Sequence, residues 1–530
     1  MKPFDKNGAF QSAAEVTTLR RVAVRSAGVT MLSQGLGMAF QIFSVVILAR
    51  LLTPADFGLV TMVTTFSLLL SNFGVNGFTE SVLQRAEIDH RLASNLFWIN
   101  LGAGILLTLA FAAAGSLMAR FYGNPRVAHV AVGISLTILI TSTSVLHLSL
   151  LMRAMRFTQV SANDFISRIA SISISILLAW AGWGYWALVA GAVTQPVSQA
   201  IGAWTMCRWV PGLPRRADGT GSMVGFAAHV YGRFTLNYFS RNMDNLLVGW
   251  RFNAQSLGFY KKAYDLFALS ALTQNLTSVT VSALSKLRGD SQQYKRFLLS
   301  ALSVTAFLGM ALGGGLTLIG KDLIHFLLGP RWDPAGRIFT FFGPGIGMLF
   351  LCGTQSWIHL SIGKANRWFR WSWIEFAVTG LLFVVGLHWG PAGVAMSWSV
   401  SLCILTLPAL WYAGSPIQLG IAPLLNTVWK YIVASAVAGI ATVAITGGPA
   451  SFVAASTAIG NIARMAKLSS IFGVLYLGAV LLLYQSFKPL NQVFGLLRDL
   501  GPGRRSSTPS QAVTPTFQTG TTEELSLTNK

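Results

Sequence analysis

Four residues of this chain combine the right types and spacing for chemistry: Arg233, Asn237, Arg241 and Asp244. All four fall inside one apolar stretch, 223–249. At roughly 100° per residue they share a helical stripe about 80° wide. An arginine at the centre of a membrane-spanning helix costs about 2.5–3.5 kcal/mol on insertion scales, so it faces a partner or a water-filled cavity rather than lipid. A guanidinium stays charged and presents a planar fork that can hold a phosphate through two parallel hydrogen bonds. Arg233 and Arg241 are therefore expected to attract an anionic, phosphorylated ligand, with Asn237 beside them. The alternative is an internal ion pair, Arg241 with Asp244 at i, i+3, that merely ties helices together. The equivalent part of the first apolar stretch carries Gln34, Gly37 and Gln41, so the cationic character is expected on one side only.

Other charges are weaker candidates. Arg50 and Arg251 sit at matched outer helix ends, where they either meet phosphate or simply reach for the interface. Asp244, Asp265 and Glu375 are the acids expected nearest the membrane interior, and one of them could carry a coupling proton or Na⁺. No metal site or other cofactor is expected. The three cysteines, Cys207, Cys352 and Cys403, are far apart, and the seven histidines have no ligand spacing. Gly315 to Asp322 approaches a phosphate-binding loop, but Asp322 stands where Ser or Thr should hold Mg²⁺. It also closes an apolar span instead of joining strand to helix, which argues against ATP hydrolysis by this chain.

The elements that must position these residues are membrane helices. Of 530 residues 53% are apolar and 11% charged, against roughly 25% charged in a soluble domain. A bilayer span needs about 20 mainly apolar residues. On that basis about fourteen spans are expected, in an all-α polytopic membrane protein. Six lie at 27–49, 57–79, 94–118, 129–151, 161–182 and 185–207. Six more lie at 223–249, 257–284, 297–320, 338–362, 371–389 and 391–413, followed by two at 425–447 and 467–486. The implied organisation is a basic N-terminal segment 1–26, a six-helix bundle 27–210 and a linker 211–222. A second six-helix bundle 223–415, two extra helices within 416–490, and a disordered polar tail 499–530 complete it. With the N-terminus inside, and with Arg168 counted with the inner loop before it and Lys261, Lys262 and Lys467 with the outer loops before them, cytoplasmic segments hold 25 Lys and Arg against 11 outside. That excess places both termini in the cytoplasm. It also accounts for the net charge of +22 without any nucleic acid.

The chain repeats itself. An apolar helix end with Arg50 and then Phe57-Gly58 returns as Arg251 and then Leu257-Gly258. Gly123-Asn124-Pro125-Arg126 returns as Gly329-Pro330-Arg331, His147-Leu148-Ser149 as His359-Leu360-Ser361, and Trp183-Gly184 as Trp389-Gly390. The offsets are 200, 206, 212 and 206. Six spans per unit make the repeats parallel, an arrangement in which substrate sits between two rocking halves.

Leu48-Ala49-Arg50-Leu51-Leu52-Thr53-Pro54-Ala55-Asp56-Phe57-Gly58-Leu59 resembles the start of polysaccharide transporters of the Wzx type. So do Phe73-Gly74 through Gln84-Arg85, and Arg241 through Gly249. Leu257-Gly258-Phe259-Tyr260 with Ala263-Tyr264, and Gly329 to Ala335, fit as well. The resemblance runs from about residue 25 to about 485, and the tail after 499 falls outside it. It implies membership of the superfamily that includes multidrug exporters and the lipid II flippase. The implied activity is transfer of an undecaprenyl-diphosphate-linked oligosaccharide from the cytoplasmic to the periplasmic leaflet of a bacterial inner membrane, for exopolysaccharide, capsule or O-antigen. A polysaccharide polymerase and chain-length or export proteins would be its partners, and the diphosphate would be the ligand of Arg233 and Arg241. Two other readings stay open: a cation-coupled multidrug exporter of the same fold, and a membrane glycosyltransferase or polymerase. The first needs acids deep in the cavity, and the second needs catalytic groups on large outer loops.

Overall fold

A bilayer offers no hydrogen bonds to a backbone, so long apolar runs satisfy their own amides by forming helices. The computed structural model describes residues 3–5, 7–10, 19–85, 87–215, 220–269, 274–447 and 458–486. Within these helices some side chains, including those of Gln34, Arg233 and Asn237, lie outside the described residues. Sixteen α-helices follow in order: α1 (Leu19–Leu51), α2 (Pro54–Gln84), α3 (His90–Tyr122), α4 (Arg126–Arg153), α5 (Phe157–Trp180) and α6 (Tyr185–Cys207). Next come α7 (Thr220–Arg251), α8 (Ala254–Leu269), α9 (Gln274–Lys286), α10 (Ser291–Leu328), α11 (Asp333–Gly353) and α12 (Gln355–Ser361). The last four are α13 (Ala365–Gly386), α14 (Gly390–Gly414), α15 (Ile421–Ile445) and α16 (Ala458–Tyr484). No strand ladder occurs among the described residues, only two isolated bridges. Nine segments there are long and apolar enough to cross a membrane. This is a multi-pass, all-α membrane protein.

Helix limits differ from the apolar runs in instructive ways. The first helix begins at Leu19, not at 27, because Arg20, Arg21 and Arg25 are good helix formers and extend it beyond the apolar part. The expected span 257–284 is two helices, α8 and α9, and the expected span 338–362 breaks at Thr354 into α11 and α12. The expected tail 499–530 lies outside the described residues.

The repeated landmarks keep positive-φ glycines and buried histidines in both copies, although Gly123 and Gly329 differ in ψ, 25° against 174°. Gly123 ends α3 at φ +63 and Gly329 ends α10 at φ +94, a left-handed backbone that glycine adopts without strain. Gly184 and Gly390 open α6 and α14 at φ +55 and +74. His147 and His359 are both fully buried, each stacked on a tryptophan, Trp204 and Trp368 respectively.

The third pair, Gly58 and Gly258, goes further, because the two copies touch. A Cβ on Gly58 would collide with the Ala254 carbonyl, and one on Gly258 with the Pro54 carbonyl. The start of α2 thus lies backbone to backbone against the start of α8. The corner leading into α2 is rigid. Thr53 caps the helix, Asp56 returns a hydrogen bond to the Thr53 amide at 3.0 Å, and Pro54 occupies the first turn. Around the glycine contact, Trp332 is fully buried and donates its indole N–H to the Ala49 carbonyl at 2.8 Å. Phe57 and Phe259 meet the same indole edge-on, at 5.4 and 6.0 Å between centroids. Arg50 donates Nη2 to the Phe326 carbonyl at 2.9 Å, at the C-terminal end of α10. This end of the molecule is shut.

Farther along, α7 stays laced to α2. Tyr238 donates to the Thr65 carbonyl and Tyr231 to the Leu69 carbonyl, both at 2.8 Å, and Gly77 makes room for Ala227. Helices α15 and α16 pack on α10. Arg464 of α16 pairs with the buried Asp322 of α10 at 2.9 Å, and Tyr476 donates to the Phe307 carbonyl at 2.8 Å.

The glycine contact leaves no space for one added methyl. With the three native cysteines removed and Ala254→Cys introduced, Gly58→Ala should force this end apart. An impermeant maleimide should then label position 254 several-fold faster. Unchanged labelling would mean that α2 and α8 tolerate a wider spacing without opening.

Candidate functional site

Arg241 lies on α7 ten residues before its C-terminal Arg251, about 15 Å along the axis from that end. Toward the C-terminus its neighbours within about 60° on the helix, Asp244, Asn245 and Val248, are all buried, and on the other side Phe234 and Tyr238 are half-buried. Arg241 itself is exposed. Arg241 is thus an exposed charge beside buried neighbours, a setting that a helix in lipid tolerates only next to a partner or water.

The groups around Arg241 come from four more helices. Glu375 of α13 is within electrostatic reach of Arg241, as are Cys352 at the end of α11 and Tyr264 of α8. Glu375 Oε1 accepts a hydrogen bond from Gln355 Nε2 at 3.2 Å and a weak one from the Cys352 thiol at 3.5 Å. Gln355 is buried at the first position of α12, where the helix break turns its side chain toward Glu375. Its Oε1 has no partner among the described residues. A cation, an acid and an amide with spare capacity therefore gather where α7, α11, α12 and α13 meet.

Asp244 plays a different part. It is fully buried and accepts hydrogen bonds from Tyr260 at 2.7 Å, from the Trp398 indole at 2.9 Å and from the Asn245 amide at 2.8 Å. The expected alternative, an Arg241–Asp244 pair, does not form among the described residues; three neutral donors serve the carboxylate instead. Asp265 is similarly committed, to Lys261 at 2.7 Å and Lys262 at 3.5 Å. Of the three acids proposed for ion coupling, Glu375 alone opens beside Arg241.

The outer arginines are both exposed and differ in their contacts. Arg50 is bound to the carbonyls of Phe326 and Leu327, and Arg251 rests over the ring of Phe252 at 5.9 Å. The side chains of Arg233 and Asn237 lie outside the described residues, so the stripe is seen here through Arg241 and Asp244.

Three charged residues escaped the sequence reading. Lys261 and Lys262 count there with an outer loop, yet α8 begins at Ala254, and Lys262 is buried with its ammonium 4.1 Å from the Phe57 ring centre. Arg168 counts there with an inner loop, yet it lies eleven residues into α5. The signal was available: each falls within an apolar stretch where a charge calls for a partner.

A family model described as "Polysaccharide biosynthesis protein" matches residues 47–337, more than half of the chain. The chain belongs to the polysaccharide biosynthesis protein family. Arg50, Arg168, Arg233, Arg241, Asp244, Arg251 and Asp265 fall inside the matched region, and Glu375 falls beyond it. Among relatives of this polysaccharide biosynthesis protein, the succinoglycan biosynthesis transport protein ExoT of Rhizobium meliloti is 22% identical over 396 residues. That alignment covers 74% of this chain and 80% of ExoT. Among solved structures, the lipid II flippase MurJ in an inward closed conformation superposes with a TM-score of 0.63 at 14% identity, covering 87% of this chain and 99% of MurJ. An inward-facing multidrug resistance transporter of the MATE family gives 0.57 at 12% identity, over 74% and 96%. The chain thus shares the fold of MurJ and of the MATE transporter.

The Asp244 cluster yields a stability test. Trp398→Phe or Tyr260→Phe leaves a buried carboxylate one donor short, a loss of about 1.5–3 kcal/mol for a hydrogen bond to a charged group. Each should lower the unfolding midpoint in detergent, and each should matter less in an Asp244→Asn background, because contacting residues are not additive. Equal losses in both backgrounds would show that packing of the rings, not the carboxylate, carries the effect.

Proposed function

We propose that this chain flips undecaprenyl-diphosphate-linked oligosaccharide units from the cytoplasmic to the periplasmic leaflet of a bacterial inner membrane, supplying the assembly of a surface polysaccharide. The carrying observation is Arg241, an exposed guanidinium beside buried neighbours on a membrane helix. A diphosphate is the part of the substrate that lipid rejects most strongly, and a preformed cationic gap lowers the barrier to its passage. Family membership and the polysaccharide transport relative support the same substrate class.

With both termini in the cytoplasm, as the Lys and Arg distribution favours, the end closed by Gly58 and Gly258 faces the periplasm. Transport is then by alternating access: the gap loads from the cytoplasmic side, and release requires this end to part. Glu375 is the acid we assign to coupling by H⁺ or Na⁺, since Asp244 and Asp265 are bound up with other groups. A polymerase and chain-length or export proteins would take the product.

The test is flipping of a fluorescent undecaprenyl-diphosphate oligosaccharide in proteoliposomes. Wild type should transport, Arg241→Gln should lose most transport while inserting normally, and Arg241→Lys should keep part of it, since Lys retains charge but not the fork. Arg233→Ala should behave as Arg241→Gln does. A folded wild type that leaves this substrate in place and extrudes ethidium under a cation gradient would instead establish the drug-exporter reading. Separately, Glu375→Gln should abolish stimulation of flipping by an imposed H⁺ or Na⁺ gradient. Retained stimulation would remove Glu375 from coupling.

A further inference from the structure

The arginine missed on α5 stands in a setting much like that of Arg241. Helix α5 has one face against its neighbours, where Asn163, Ser167, Ser175 and Ala179 are buried. Asn163 donates to the Gln199 carbonyl at 3.0 Å, and Ser171 to the Gly191 carbonyl at 2.7 Å, both on α6. The opposite face shows Ile166, Ile174, Leu177 and Trp180 to lipid, all exposed. At roughly 100° per residue, Arg168 points about 120° or more away from each of these four. It belongs to the packed side, yet its side chain is 43% accessible, and that of Asp164, one turn earlier, 38%.

What makes room for it is α1. Gly37 presents no side chain there, and a Cβ at that position would lie 3.9 Å from Arg168 Cδ. Phe40 and Phe165 pack edge-on at 5.8 Å between the same two helices. The arginine stem therefore passes a glycine of α1 and its head emerges in an opening between helices. Its contact with Asp164 is one-pointed: Nε to Oδ2 at 2.9 Å. The two terminal nitrogens have no partner among the described residues, and they are the nitrogens that a bidentate anion would use.

The repeat adds a second line of argument. At an offset of 206, the counterpart of Arg168 falls one residue from Glu375, and at an offset of 200 the counterpart of Arg241 is Gln41. In the second copy the cation stands on α7 with an acid on α13. In the first copy the matching stretch of α1, from Gln34 to Gln41, is neutral and the cation stands on α5. The cationic character is thus two-sided, contrary to the reading from α1 alone.

We propose that Arg168 is a second diphosphate-binding residue, placed on the first repeat, and that Asp164 is an internal competitor that holds its guanidinium until the ligand's phosphate takes over. The assignment rests on the flippase reading above. An exposed ion pair of this kind is weak, so a doubly charged diphosphate with several oxygens displaces the single carboxylate contact. Asp164 then sets the threshold: a ligand with less charge does not displace it.

The competitor model makes two substitutions in one ion pair act in opposite directions, which a purely structural pair cannot do. The full chain in nanodiscs would be titrated with farnesyl diphosphate, with farnesol as the uncharged control. Arg168→Gln should weaken diphosphate binding about tenfold, the scale of one lost charge-assisted hydrogen bond. Asp164→Asn should tighten it several-fold, and Arg168→Lys should fall between wild type and Arg168→Gln. If Arg168→Gln does not fold, the other two variants still decide. Weaker binding in Asp164→Asn would overturn the proposal, because the pair would then be structural. Unchanged binding in Arg168→Gln beside a loss in Arg241→Gln would overturn it and leave the flippase reading standing. Equal affinity of wild type for farnesol and its diphosphate would remove both.

Discussion

The structure depends first on how closely two backbones approach at Gly58 and Gly258. Most helix packing here is mediated by side chains and can adjust by a rotamer. This contact cannot, because each glycine faces a carbonyl oxygen of the other helix. The surrounding groups build on that fixed distance. Trp332 reaches Ala49, Phe57 and Phe259 close on the indole, and Lys262 sits over Phe57 because α2 and α8 are already together. Since the two residues are also repeat counterparts, the closed end is the place where the two copies of the fold meet themselves.

Away from that end the problem is electrostatic. Charges within helices are handled in two ways. Asp265 with its lysines, Asp322 with Arg464, and Asp244 with Tyr260 and Trp398 are each answered inside the protein. Arg241 is exposed, and Arg168, 43% accessible, meets Asp164 through Nε alone.

Much of the architecture was legible because lipid imposes a simple grammar: apolar runs, charged loops and a repeat visible in short glycine, histidine and tryptophan landmarks. The stripe on α7 was legible for the same reason, as periodicity alone aligns Arg241 with Asp244. What periodicity cannot supply is the identity of partners far along the chain. Trp398 and Tyr260 claim Asp244 from α14 and α8, so the i, i+3 pair suggested by spacing never forms. Arg168, Lys261 and Lys262 were hidden by the boundary convention itself, since a charge near the edge of an apolar run was assigned to the loop. The contacts of Arg50 were illegible for another reason: its partners are main-chain oxygens, and these leave no trace in residue types.

That last feature bears on how this closed end can change as sequences diverge. Arg50 and Trp332 are fastened to the carbonyls of Phe326, Leu327 and Ala49, which every residue possesses. Substitution at the accepting positions alters side chains but leaves the acceptors in place. The fastening can therefore be lost through only two of its five positions, and drift at the other three is free to tune how tightly the end closes without abolishing it.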